Sequence, residues 1–514
     1  MCGIVAVYGN PDERLVREMM DRIAHRGPDG SGLTVDPGGH SGLGHRRLAI
    51  VDPAGGQQPL FAECGSAIIV NGEVYNHRDI RTALPDARFR TGSDSEAILQ
   101  LYLRDKQGAV SQIDGMYAFI LRDGDDLYVG RDPLGIKPLY MGRRGGGWCF
   151  ASEIKALLGF ADDIAEFPPG TTFHTARGFE RFYEVPDDLP EDLSADQACS
   201  ELLATLERAV VKRLMSDGPV GVLLSGGLDS SAIAAIARRH VDQLHTFAVG
   251  VEGSPDLEAA RHVATVLGTT HHEYVLSIEE VVANLFRILY HLESFDQDLV
   301  RSGVPCYFAA QLAAEHVKVV LTGEGADELF AGYSYYKRYV DPAALHAELR
   351  RSVCGLHNIN LQRLDRLTMA HGIEGRVPFL DIELVSLAQR IAPQLKLRAG
   401  DRDGIVEKWV LRKACQGLLP DEIVWREKEQ FDQGSGTVGL LSEALDDWTD
   451  RPNCERYRRR HPETRLRSEE ECVYHALLAT CYAHPEPVLA NVARWSEQPA
   501  ARGADWRGDD AADE

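Results

Sequence analysis

A chain of 514 residues, 44% hydrophobic and 26% charged, has room for roughly two to four domains with sizeable cores. Its formal charge of −23 argues against non-specific nucleic-acid binding and against an anionic membrane surface as partners. No apolar run reaches the roughly 18–20 residues that cross a bilayer, the start Met1-Cys2-Gly3-Ile4-Val5 lacks secretory character, and ten scattered cysteines without a C-x-x-C pair form neither a disulfide framework nor a zinc site. A reducing cytoplasm is the expected location.

At the amino end, Cys2 becomes residue one if Met1 is removed, which a small second side chain permits. Its own α-amine, with an ordinary pKa of about 8, would then take the thiol proton. For a lone cysteine an accident of position would be the better reading. Residues 1–160 read as short strands at Gly3–Tyr8, Ala67–Val70, Tyr117–Arg122, Leu127–Gly130 and Trp148–Ala151, with a helical pattern at Ser95–Leu103. Strands dominating a few helices predict an α+β layered sandwich.

Polar clusters that a core does not need sit among these strands. Gly44-His45-Arg46-Arg47-Leu48 sets a guanidinium beside an apolar run, the chemistry of a carboxylate clamp. Asn71-Gly72-Glu73 follows a strand, where the Asn71 amide and the Gly72 N–H can form an oxyanion hole. The same Asn-Gly pair reads equally well as a hairpin turn. Thr91-Gly92-Ser93-Asp94 opens the next helix, with Asp94 suited to an α-ammonium. The motifs MCGI, HRGPDGSG, GHRRLAIVD, NGEVYNH, TGSDSE, DGMYAF, GRDPLGIKPLY and ASEIKAL follow one another in order. With them, residues 1 to about 160 resemble the class II glutamine amidotransferase domain with an N-terminal nucleophile. The resemblance implies Cys2 as nucleophile, Asn71 and Gly72 as oxyanion hole, and Arg47, Val51, Asn71, Glu73 and Asp94 around glutamine.

Residues 160–205, with Phe167-Pro168-Pro169-Gly170 and Val185-Pro186-Asp187-Asp188-Leu189-Pro190, read as a domain link. We place a glutaminase domain at 2–185 and a second domain at 195–495. Helical spacing through Leu202–Leu214 leads to the apolar run Val220–Leu224, then Ser225-Gly226-Gly227-Leu228-Asp229-Ser230-Ser231, then the helix former Ala232–Ala237. Strand, glycine turn and helix start make an oxyanion site, in which free N–H groups and the helix dipole meet negative charge. No lysine precedes the serines, so the loop is not a Walker A. Asp229 instead offers a hard carboxylate to Mg²⁺, and the loop resembles the pyrophosphatase loop of adenylate-forming synthetases. Ser225, Gly226, Gly227, Asp229 and Ser230 are the expected nucleotide contacts, against the plainer reading of an ordinary strand-to-helix turn.

Beyond it, a strand at His245–Val251, helices at Asp256–Leu267 and Ile278–Leu289, and a strand at Val317–Leu321 predict an α/β parallel sheet. The last strand runs into Thr322-Gly323-Glu324-Gly325-Ala326-Asp327-Glu328. Carboxyl ends of parallel strands share one edge, so Asp229 and Asp327 can hold one Mg²⁺, and Glu324 can act as a base. A loop of solvated acids is the alternative. In Trp425-Arg426-Glu427-Lys428-Glu429-Gln430-Phe431, Lys428 can meet charge on a phosphate or stand on a charged surface.

With SGGLDSS, TFAVGVEGSPDLEAA, LGTTHHEY, TGEGADELFAGY, GIEGRVPFLD and WREKEQF in order, residues 200 to about 440 resemble the synthetase domain of glutamine-hydrolysing asparagine synthetases. That resemblance implies ATP at Leu224, Val249, Thr322 and Gly323. Glu324 and Lys428 would act on an acyl-adenylate, and Asp229 and Asp327 on Mg²⁺. The implied substrates are glutamine, aspartate or a related acid, and ATP, with AMP and pyrophosphate released; a homodimer is left open. Arg301 is the expected clamp for the acceptor's carboxylate, but the segment Glu293-Ser294-Phe295-Asp296-Gln297-Asp298-Leu299-Val300-Arg301-Ser302-Gly303 departs from the family at Asp298. Another small acid as acceptor therefore stays open. A glutamine-independent ring-closing synthetase fits poorly with an intact Cys2, Asn71 and Asp94, and a non-catalytic binding protein fits poorly with the full set. Residues 497–514, rich in Ala, Gly and Asp, are expected to be disordered.

Overall fold

The computed structural model describes residues 2–188, 190–399, 404–426, 434–445 and 451–495. Lys428 and the tail from 497 lie outside the described residues. Period-two alternation fixes the first half: along Gly3–Tyr8, Ile4 and Ala6 face one way, Val5 and Val7 the other, and all four are fully buried. A strand buried on both faces needs a core on each. Ile4 and Ala6 share one with Ile69, Ile120 and Phe150 between two sheets, whereas Val5 and Val7 share another with Val16, Met19 and Met20 of the helix Glu13–Arg22.

Both sheets are six-stranded and antiparallel. The first runs Asp162–Glu166, Tyr140–Arg144, Gly147–Ala151, Gly3–Tyr8, Ser41–Arg47, Gly30–Val35, and the second runs Gly178–Arg181, Thr171–His174, Asp126–Arg131, Gly115–Asp123, Ala67–Val74, Leu60–Phe61. The helix Glu96–Asp105 covers the outer face of the second sheet, with Ile98, Leu99 and Tyr102 against Ile68, Val70 and Phe119. Helix, sheet, sheet, helix is the layered α+β sandwich that the strand pattern predicts. The strand expected at Ala67–Val70 continues to Val74, so Asn71-Gly72 is not a hairpin turn. It pairs in register with Gly115–Asp123, Gly72 opposite Tyr117. Three strands extend to Arg181, which leaves only part of the expected link at 160–205 irregular.

The second half begins with the helix Ala195–Lys212, closed at its start by a reciprocal Ser194–Gln197 capping box. Five parallel strands follow in the order Thr270–Val275, His245–Gly250, Val220–Leu223, Val319–Leu321, Glu374–Arg376. Val222, Val319 and Leu321 share a core with Ile233 and Ile236 of the helix Leu228–Arg238, and on the other face Phe247 and Val320 meet Ala313 of the helix Gln297–Ala314. The first strand in sequence lies mid-sheet, and the chain leaves it in both directions. Such a reversal opens a crevice at the strands' carboxyl ends.

Candidate functional site

Two depressions gather most of the expected site residues. The first lies in the amino-terminal sandwich and is lined by Cys2, Arg47, Val51, Gly72, Glu73, Ser93 and Asp94, among others. Cys2 precedes the strand Gly3–Tyr8; its N–H donates to Asn71 Oδ1 at 3.0 Å and its thiol points to the Leu48 carbonyl at 3.9 Å. Burial pushes the Cys2 thiol up from its ordinary pKa. Asn71 Nδ2 is buried without a hydrogen-bond partner among the described residues, a spare donor beside the thiol.

Gly72 is required by shape. Its φ is +152°, and a Cβ there would stand 2.0 Å from the Met116 carbonyl oxygen. Arg47 is held by the loop it faces, donating to Pro53 O at 2.9 Å and Asp52 O at 2.6 Å. Asp94 accepts from the Val74 N–H at 2.7 Å, and burial raises its carboxyl to about 6. Burial, with Glu374 and Asp94 nearby, pushes Glu73 up as well, although Arg376 of the second domain stands 3.4 Å away. The cleft therefore combines a buried thiol, an unused amide donor and two protonatable acids.

The second depression is a cavity of about 440 Å³ at the sheet's switch point. Leu224, Ser225, Gly227, Asp229, Ser230 and Val249 line it from one side, and Thr322, Gly323, Glu324 and Asp327 from the other. The loop knits itself together: Ser225 Oγ lies 3.2 Å from Ser230 Oγ and accepts from the Gly227 N–H at 3.4 Å. Gly226 does not line the cavity. It turns the chain at φ +70°, packed so closely on Ala259 that a Cβ would come within 2.5 Å. The helix starts at Leu228, earlier than the run of alanines implied, so Asp229 and Ser230 stand in its first turn.

Lys408 was not legible as a site residue. Its ammonium lies 2.5 Å from Asp229 Oδ2 and 2.6 Å from Asp327 Oδ1, joining the two aspartates expected to share a cation. Asp229 Oδ1 remains buried without a partner among the described residues. Glu324 is ion-paired with Arg363, which also lines the cavity. Behind it Glu328 accepts from Tyr333 Oη at 2.6 Å and Asn360 Nδ2 at 3.1 Å, and burial raises its carboxyl to about 7. Nothing in the local sequence marks Lys408, Arg363 or Asn360, because each reaches the cavity from a segment far along the chain.

The clamp expected at Arg301 is not delivered to the cavity. Its guanidinium is satisfied by Glu470 through two bonds of 2.9 Å, so a carboxylate of the chain already fills the fork. Asp298 and Ser302, on the same helix, line the cavity instead.

Residues 1–169 match the glutamine amidotransferase domain family, and residues 201–350 and 339–503 match the asparagine synthase family. An asparagine synthetase [glutamine-hydrolyzing] of Triphysaria versicolor is 41% identical over 462 residues, 85% of this chain and 78% of that protein. Another from Asparagus officinalis is 41% identical over 481 residues, covering 88% of this chain and 81% of the relative. A solved glutamine phosphoribosylpyrophosphate amidotransferase of B. subtilis covers 55% of this chain and 92% of its own at a TM-score of 0.34 and 16% identity, a likeness too weak to carry an argument. Family matches over both halves, and relatives matched over about four fifths of their length, agree with the two depressions just described: the chain belongs to the glutamine-hydrolysing asparagine synthetase family.

Proposed function

We propose that this chain makes L-asparagine from L-aspartate, with glutamine as nitrogen donor and ATP cleaved to AMP and pyrophosphate. The observation that carries the reading is the cluster of Asp229, Lys408 and Asp327 at a parallel sheet's switch point, in a chain whose other depression holds a buried Cys2. In the first depression, Cys2 Sγ attacks the glutamine amide carbon, the C–N bond breaks to release ammonia, and water then cleaves the glutamyl thioester to glutamate and the free thiol. With Met1 removed, the Cys2 nitrogen now held by Asn71 Oδ1 becomes the amine that takes the thiol proton. The spare Asn71 Nδ2 and the Gly72 N–H are the donors for the tetrahedral oxyanion. Asp94 and Glu73 meet the α-ammonium, and Arg47 with Val51 closes the carboxylate end.

In the second depression, a carboxylate oxygen of the acceptor attacks the α-phosphorus and pyrophosphate leaves. Ammonia from the first site then attacks the acyl carbon, Glu324 accepts a proton, and AMP departs. Ser225, Gly227 and the first turn after it supply N–H donors to phosphate oxygens. Asp229 fits Mg²⁺, since Oδ1 is an unused hard donor and Oδ2 already faces a cation. Bound by Asp229 and Asp327, Mg²⁺ would offset the charge of the leaving pyrophosphate. Lys428 would add a further cation at the α-phosphate. The ten free cysteines suit a reducing cytoplasm.

A second reading keeps the chemistry and changes the acceptor. Asp298 on the cavity wall, with Arg301 taken by Glu470, is what favours it. Pyrophosphate release with ATP, Mg²⁺ and ammonia, measured with and without L-aspartate, tests both. Aspartate-dependent release with equimolar asparagine supports the first. No response to aspartate, in protein that hydrolyses glutamine, would overturn it in favour of the second.

A further inference from the structure

At the opposite, amino-terminal edge of the parallel sheet, three histidines converge. His245 begins its strand, and His272 is the third residue of the neighbouring strand, paired in register with Phe247. Because side chains alternate, His245, Phe247 and His272 share one face of the sheet. The helix Gln297–Ala314 packs over that face, and the chain leaving its end delivers His316 onto the same spot. One ring nitrogen from each histidine lies within 4.8 Å of the other two. His245 Nδ1 and His272 Nε2 are 3.1 Å apart, and the His272 and His316 rings stack at 3.9 Å.

We propose that His245, His272 and His316 form a binding site for a divalent transition-metal ion of the Zn²⁺ class. Tetrahedral coordination with bonds of about 2.0–2.1 Å puts ligand nitrogens about 3.3 Å from one another. The His245–His272 pair already has nearly that spacing, and the third nitrogen has at most about 1.5 Å to close as the His316 ring turns out of its stack on His272. All three rings are half-buried, so an ion can enter and a water can take the fourth position. The negative end of an 18-residue helix, capped by Glu315, adjoins the group. Imidazoles without carboxylates select Zn²⁺, Ni²⁺, Cu²⁺ or Co²⁺ over Mg²⁺ or Ca²⁺. Separated from the nucleotide cavity by Phe247, whose ring lies 5.1 Å from that of His272, the ion would clip two strands to the chain leaving the overlying helix. A stack of neutral rings that merely fills space predicts no such affinity.

The full chain, treated with a chelator and kept in excess Mg²⁺ to occupy carboxylate sites, is titrated with Zn²⁺ and, separately, Co²⁺. One equivalent is expected to bind, Zn²⁺ raising the melting temperature and Co²⁺ giving the intense visible bands of a four-coordinate ion. His316→Gln should weaken binding at least ~30-fold and abolish the bands, as loss of one of three ligands does. His40→Gln, in the exposed Asp36–His40–Asp125 group, should change neither. Should His316→Gln not fold, His245→Gln is read in its place. Unchanged binding and bands in these variants, transfer of the loss to His40→Gln, or no binding by the wild type at about 100 μM would each overturn the site, since neutral imidazoles so placed should bind well below that level.

Discussion

At the residue scale, the proposed reaction assigns Cys2 and Lys408 to its two separate half-reactions. Cys2→Ala should abolish glutamine-dependent amide formation and leave synthesis from added ammonia intact; loss of both activities would refute the division. Lys408→Met should do the reverse. Removing the cation leaves Asp229 and Asp327 facing each other in a partly buried site, and amide synthesis from either nitrogen source should fall at least ~10²-fold while glutamine hydrolysis survives. Asp94 gives the pH behaviour. Its carboxyl is raised to about 6 by burial and, under the proposed reaction, must be ionised to hold an ammonium, so kcat/KM for glutamine should fall as pH drops through about 6. Asp94→Asn should be low and flat across that range; a variant that keeps the wild-type profile would remove Asp94 from the site. Asp94, Asn71 and Cys2 were legible because each sits in a contiguous motif whose neighbours have no packing role. Lys408 was not, because its meaning lies in two aspartates distant in sequence, and its own segment reads as an ordinary charged helix start. The pairing of Arg301 was not legible for the same reason: its partner Glu470 stands 169 residues away.

At the element scale, the strands were legible wherever alternation was strict, as in Gly3–Tyr8, and least so where a strand carries function. Asn71-Gly72 carries the strongest short signal for a turn, yet the strand runs through it, because backbone pairing with Gly115–Asp123 outweighs local preference. The short strand Glu374–Arg376 has no apolar period at all, and only its place at the sheet edge makes it a strand. It is also where the two halves meet. Arg376 reaches Glu73 at 3.4 Å on one side, and its carbonyl accepts from the Thr322 N–H at 2.9 Å on the other. Gly72→Ala should displace the strand against the Met116 carbonyl and cut glutamine hydrolysis at least ~10²-fold, with ammonia-dependent synthesis largely kept. Equal glutaminase constants for variant and wild type would mean the strand gives way without moving its N–H.

At the scale of the whole molecule, the two domains are joined by charge buried out of water. Arg26 donates to the Cys2 carbonyl at 3.0 Å and pairs with Glu153 at 2.7 Å and with Asp365 of the second domain at 2.8 Å. Glu293 crosses the other way, accepting from the backbone N–H groups of Ile154 and Lys155 at 3.1 and 2.8 Å, and Arg366 holds it at 2.9 Å. Arg26, Glu153, Glu293 and Arg366 are all essentially unexposed. Such a network adds little net stability over an apolar contact, but breaking it strands a charge, at a cost of about 3–5 kcal/mol. We infer that what it sets is orientation, since these ion pairs can form together in only one docking of the domains. Under the proposed reaction, ammonia must pass from the Cys2 cleft to the nucleotide cavity before water protonates it, so a loosened junction should waste it. Arg366→Met should lower the melting temperature by several degrees and raise the glutamate formed per asparagine above the wild-type ratio, with each half-reaction near normal when assayed alone. Adding Glu293→Gln, which restores the charge balance of a network in which Lys155 also pairs with Glu293 at 3.1 Å, should recover part of both losses, the sign of coupling between contacting residues. A lowered melting temperature with an unchanged ratio would assign the network to stability alone and put the protection of ammonia elsewhere along the interface.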